Sequence, residues 1–114
     1  MVKEPGRIGV LFSCSGAISA VESTQLNGTL LALAEINPAG GVLDRPIEAI
    51  TYDPASNPKT YRQLAEQLLT VDDVKLIFGC YMSSTRKVVI PVVEAHRALL
   101  FYPTPYEGVA GAGE

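Results

Sequence analysis

Four short apolar runs, separated by three stretches of helical period, constrain this chain more than any other feature of its sequence. Arg7-Ile8-Gly9-Val10-Leu11-Phe12, Ile47 to Tyr52, Lys75 to Gly79 and Ala98 to Tyr102 are each five or six residues long. They are too short for helices, and apolar enough to read as buried strands. Between the first two, Ala20 to Ile36 carries Leu26, Leu30, Leu33 and Ala34 at helical spacing. Between the next two, Tyr61, Leu64, Ala65, Leu68 and Leu69 fall at i, i+3, i+4, i+7 and i+8, one amphipathic stripe. Val88, Val89, Val92 and Val93 mark a third helix. The order is βαβαβαβ. Strands joined through helical crossovers run parallel, so the class expected is α/β: an open parallel sheet with helices on both faces.

Proline, glycine and asparagine punctuate this pattern at the expected places. Asn37-Pro38 ends the first helix, because the residue before proline is pushed out of the α region, and Gly40-Gly41 turns the chain. Asp53-Pro54 stops the second strand. Asn57 is an N-cap with Pro58 at the first helical position. Ser84 or Thr85 is placed to cap the third helix, and Pro91 to bend it. The 114 residues are one domain's worth of chain, enough to bury a core. Residues 1–107 read as a single lobe, and Gly108 to Glu114 as a linker or a chain cut short. There are no internal repeats.

Composition removes several functions. A net charge of −3 and a pI near 5.1 oppose a nucleic-acid binder, which shows a basic face, and leave no polybasic patch for a membrane. No apolar run approaches the roughly 20 residues of a membrane span. Met1-Val2-Lys3-Glu4-Pro5 lacks the apolar stretch of a signal peptide. The expectation is a cytoplasmic protein, or a periplasmic one whose signal is not in this sequence. Two cysteines and one histidine make neither a disulfide framework nor a zinc site, so no metal and no cofactor are expected. Cys14 and Cys80 read as small buried or half-buried thiols. A disulfide between them stays open, since both follow strands at the same end of the sheet.

In open sheets of this kind ligands lie outside the carboxyl ends of the strands. Three loops leave that edge: Ser13–Gly16, Cys80–Thr85 and Pro103–Gly108. Capping accounts for Ser84 and Thr85, but not for Tyr81 beside Ser83, an aromatic and a hydroxyl suited to a small ligand with one polar and one apolar end. In Tyr102-Pro103-Thr104-Pro105-Tyr106-Glu107 two prolines hold Thr104 between tyrosines at small entropic cost, as a pocket wall or simply a rigid connector. Ser13-Cys14-Ser15-Gly16 lacks the lysine and glycine pattern of a phosphate loop. Asp53 reads as a turn residue, His96 as a surface residue without a triad partner, and Arg86-Lys87 as a solvated helix face. No paired carboxylates sit on the edge, so no catalytic residue is assigned and an enzyme is not expected; a hydrolase using Ser83 lacks a general base.

Two sets of motifs carry a resemblance. Ile36-Asn37-Pro38-Ala39-Gly40-Gly41-Val42-Leu43-Asp44-Arg45-Pro46-Ile47-Glu48, Tyr52-Asp53-Pro54 and Phe78-Gly79-Cys80 resemble the branched-chain amino-acid-binding family of type I periplasmic-binding proteins. Within it, Gly79 to Lys87 and Tyr102 to Gly108 resemble the amide-binding regulators of aliphatic amidase expression. Asp44 stands where glycine is common, a change expected to touch only a turn. The resemblance implies the N-terminal lobe of a two-lobed ligand sensor for short aliphatic amides. Ser83 and Thr104 would bind the amide, and Tyr81, Tyr102 and Pro105 would shape the pocket. It also implies an RNA-binding antiterminator as protein partner, without direct nucleic-acid or membrane contact. The alternative is the solute receptor of an ABC transporter for urea or short amides. A single such lobe leaves apolar helix faces and a sheet edge uncovered, so self-association, as a homodimer, is expected.

Overall fold

The computed structural model describes residues 5–17 and 19–103. Its elements are β1 (Gly6–Leu11), α1 (Ser19–Ile36), β2 (Ile47–Tyr52), α2 (Pro58–Thr70), β3 (Leu76–Gly79), α3 (Ser83–Ala95) and β4 (Leu99–Phe101). All pairings are parallel, in the order β2-β1-β3-β4. Gly6 to Leu11 pairs residue for residue with Ile47 to Tyr52, and Gly9 to Leu11 with Ile77 to Gly79. This is the α/β fold that the alternating runs require.

The pleat divides the sheet's side chains between two unequal coverings. Leu11 and Ile77, with the partly buried Ile50 and Leu100, join one cluster with Tyr61, Ala65, Leu68, Leu69, Val89, Val92 and Val93. Thus α2 and α3 seal one face. Asn57 caps α2 as expected, its side chain accepting from Lys59 N at 2.9 Å. On the other face α1 lies alone, and of its described side chains only Glu22 is fully buried. Leu30 and Ala34, assigned by spacing to a core-facing stripe, are exposed instead, Leu30 by 40%. The spacing was helical, but the described residues offer that flank of the helix nothing to pack against. Phe78 and Phe101, ring centroids 5.1 Å apart, floor a hollow of about 400 Å³ beside α1.

The connection from α1 to β2 is held by side-chain chemistry. Asn37, just past the helix, donates Nδ2 to Ile47 O at 2.9 Å and accepts Ile47 N at Oδ1 at 2.7 Å, so it pairs with β2 like a strand residue. Gly41, at φ +75°, could carry no side chain: a Cβ there would lie 1.9 Å from Arg45 O. Val42 and Arg45 then exchange backbone bonds of 2.8 and 2.9 Å across Leu43 and Asp44. These two residues have φ of 52° and 66°, the primed turn that Asn-Gly prefers. The effect of Asp44 is therefore confined to a turn. Leu43 is 84% exposed, so little packing offsets its strain. Replacing the pair (Leu43→Asn with Asp44→Gly) should raise stability by about 1 kcal/mol. Urea denaturation measures it, and a midpoint that falls or does not move would refute the strain.

Candidate functional site

From β1 the chain moves outward to β2 and then returns past β1 to form β3. Connections therefore leave in opposite directions at the carboxyl ends of β1 and β3, opening the crevice where sheets of this type take ligands. Ser13, Cys80 and the start of α3 lie at this point.

Ser13 is fully buried. Its N–H donates to Glu22 Oε1 at 2.7 Å, and Tyr61 donates its hydroxyl to the same oxygen. With that hydrogen committed, the 3.1 Å contact between Ser13 Oγ and Tyr61 Oη has serine as donor. Ser13 Oγ in turn accepts Ser56 N at 2.8 Å. A polar chain thus runs from the β2–α2 loop through Ser13 and Tyr61 to Glu22 on α1. Burial and the bond to Glu22 push the Tyr61 hydroxyl well above its ordinary range, so it stays a donor. Sequence reasoning missed Glu22; the available signal was an acidic residue four before Leu26, on the helix's inward stripe.

Asp53 fixes the outside of the same turn. Its carboxylate accepts Cys14 N at 2.8 Å, Ser15 Oγ at 2.7 Å and Ala55 N at 2.9 Å. Partial burial raises its pKa, but the bonds from Ser15, Cys14 and Ala55 outweigh it and hold the carboxyl below its ordinary value. It is a turn residue, and a clamp between two loops as well.

At the end of β3, Cys80 has φ 74°, a conformation that costs a side-chain-bearing residue about 1–3 kcal/mol. That bend brings Tyr81 and Met82 over the edge. The Tyr102 hydroxyl donates to Tyr81 O at 2.6 Å, joining the loops after β3 and β4. Toward a ligand the Tyr102 oxygen can therefore only accept. Tyr81, Ser83 and Tyr102 are half-buried, with Ser83 the first residue of α3, whose N-terminal turn carries the positive end of the helix dipole. Thr104 and Pro105 lie outside the described residues, as does 108–114.

Two sequence readings are corrected here. Neither Ser84 nor Thr85 caps α3: Met82 stands at the N-cap without a side-chain bond, and Thr85 Oγ1 donates to Met82 O at 2.8 Å. The bend at Cys80 starts the helix earlier than the serine pattern suggested. Arg86 is not on a solvated face but 4% exposed, its guanidinium 4.9 Å from the Tyr102 ring centre. It shares the inward helical row with Val89 and Val93. His96 pairs with Glu66 Oε1 at 3.1 Å, which links α3 to α2 and makes no triad. Lys87 is exposed.

Both cysteines are free thiols. Cys14 is exposed, whereas burial, then the charge of Glu22, push the Cys80 thiol up to about 12. Among the described residues no group of His, Cys, Asp and Glu could hold a metal, and no helix is long and apolar enough to cross a membrane. One hollow lies beside α1, lined in part by Pro103 after β4, and another of about 440 Å³ lies at the amino end of the sheet. What the edge presents is an open wall of hydroxyls and aromatic rings.

A buttressed wall at the switch point of a parallel sheet defines a lobe of a small-molecule binding protein. The chain belongs to the periplasmic binding protein domain family, whose model matches residues 6–112. It is 28% identical, over 91% of its length, to the leucine-, isoleucine-, valine-, threonine- and alanine-binding protein of Pseudomonas aeruginosa. Among solved structures it resembles the branched-chain amino acid transporter substrate-binding protein of Streptococcus pneumoniae, in complex with isoleucine (TM-score 0.87, 26% identity, 91% of this chain and 30% of that one). It also resembles an ABC transporter substrate-binding protein from Sphaerobacter thermophilus (TM-score 0.79, 30% identity, 86% of this chain and 26% of that one). The chain spans 28% of the length of the Pseudomonas protein.

The two thiols should respond differently to a disulfide reagent. At pH 8 only about one Cys80 in ten thousand is thiolate, so Cys14 should label quickly and Cys80 only after denaturation. Rapid uptake of two equivalents by the native chain would contradict this burial.

Proposed function

We propose that this chain is one lobe of a two-lobed, non-enzymatic sensor of short aliphatic amides that controls amidase expression. The observation that carries it is the joining of the loops after β3 and β4, through Tyr102 and Tyr81 O, beside Ser83. Those loops hold the Gly79 to Lys87 and Tyr102 to Gly108 motifs that resemble amide-binding regulators. Ser83 and Thr104 are the ligand's polar contacts in this reading, with Tyr81, Tyr102 and Pro105 shaping the apolar side. The protein is then cytoplasmic, and its partner is an RNA-binding antiterminator. A second reading is a periplasmic receptor of an ABC transporter for urea or short amides; the relatives' printed names support the receptor role and point to a branched-chain amino acid as its cargo.

Calorimetric titration of the two-lobed protein with acetamide, butyramide, urea and leucine separates these readings. Acetamide or butyramide should bind tightest; leucine alone binding would hand the function to the receptor reading. Ser83→Ala and Thr104→Val should each weaken amide binding by about 1–3 kcal/mol, since each leaves a buried polar ligand group unpaired. Wild-type affinity in both variants would refute this pocket assignment.

For the 114-residue chain by itself, we infer a homodimer closed over the hollow beside α1. Leu31 is 62% exposed, Leu99 69% and Phe101 54%, forming an apolar flank with the short edge strand β4. A net charge of −3 is too small to keep two copies apart at physiological salt, where the screening length is about 8 Å. Light scattering behind a sizing column should give twice the chain mass. A stable monomer at millimolar concentration would dispose of the dimer.

A further inference from the structure

Glu22 is a carboxylate with no exposed surface, and only one of its oxygens is used. Oε1 takes the Ser13 N–H and the Tyr61 hydroxyl, whereas Oε2 is sealed from solvent and has no hydrogen-bond partner. An unused acceptor on a buried carboxylate is costly to keep, and such atoms are rarely left so without a purpose. Its place supplies one. Through Ser13 it touches the carboxyl end of β1, where Leu11 O accepts Cys80 N at the carboxyl end of β3 at 3.0 Å. It therefore sits under the crevice between the two strands where the connections diverge. Cys14, Ser15 and Gly16, next along the turn from the Ser13 N–H that Glu22 holds, are all exposed.

We propose that Glu22 Oε2 is the acceptor for the N–H end of the ligand, reached when the Cys14–Gly16 turn shifts on ligand binding. This rests on the reading above that the crevice is the ligand site, and it adds a specificity element on the floor of that site. The chemistry it selects is an amide or amino N–H. A ligand of the same shape without N–H gains nothing from it, because a carboxylate oxygen accepts and cannot donate. Asp53 holds the turn from outside and Glu22 from beneath, so the turn has a defined closed position but only hydrogen bonds to break when it moves.

Glu22→Gln isolates the second oxygen. Its amide oxygen still accepts Ser13 N–H and the Tyr61 hydroxyl, while an NH2 replaces Oε2 and meets the ligand donor to donor. In the two-lobed protein, Glu22→Gln should melt within a few degrees of wild type yet bind acetamide and leucine about 10–100-fold more weakly. A purely structural glutamate predicts the opposite, unchanged affinity in Glu22→Gln, and that result overturns the proposal. Should Glu22→Gln fail to fold, wild type decides through acetone, which has the shape of acetamide but no N–H. Acetone binding as tightly as acetamide overturns the proposal, and a loss of at least tenfold supports it. If wild type binds neither acetamide nor leucine, the ligand class of the previous section fails and takes this assignment with it; if it binds either and Glu22→Gln binds equally well, only the Glu22 role is lost.

Discussion

Hydrogen bonds converging on one buried carboxylate hold the carboxyl edge of this lobe's sheet in shape. Ser56 N–H reaches Ser13 Oγ, Ser13 reaches Tyr61, and Tyr61 and the Ser13 backbone both end on Glu22. Three parts of the chain meet there: the β1–α1 turn, α1 itself, and the stretch from the β2–α2 loop into the first turn of α2. In a low-dielectric interior each bond polarises the next, so the chain is stronger than its members taken singly. Removing Glu22 would strand a backbone N–H and a phenol in the core, both costly without partners.

The sheet transmits this order across the edge. Leu11 O accepts Cys80 N at 3.0 Å, so the position of the β1 end sets where β3 bends. Gly79 admits no side chain, because a Cβ would lie 2.4 Å from that same carbonyl. The close approach and the left-handed Cys80 together direct Tyr81 over the strand ends, where Tyr102 secures it. Arg86 completes the corner by lying across the Tyr102 ring. Strain at one residue is thus compensated by bonds from two neighbouring strands, a common way to present a recognition loop.

The two faces of the sheet serve different ends. The α2–α3 face is closed, with Tyr61, Leu68, Ile77 and Val89 without exposed surface. It supplies the rigid base from which the loops after β1, β3 and β4 project. The α1 face keeps Phe101 and Leu99 open to association.

Much of the fold was legible before any coordinate. Short apolar runs and period-3.6 patterns are local, so strand and helix order, the Asn57 cap and the turn at Gly41 could be read from residues next to one another. The parallel sheet followed, because helical crossovers leave no other pairing. The loops carrying Tyr81, Ser83 and Tyr102 could also be placed at one edge, since every strand of a parallel sheet ends on the same side. The partners inside that edge could not be foreseen. Glu22 meets Tyr61 across 39 residues and Cys14 meets Asp53 across 39, and no local pattern encodes such meetings. Arg86 read as solvated because charge usually is; only the seating of α3 against β4 decided that its inward row would include it. Likewise Leu30 had a core-facing spacing with nothing to face. Sequence determined which surfaces could be buried; tertiary structure decided which were, because burial depends on what arrives from elsewhere in the chain.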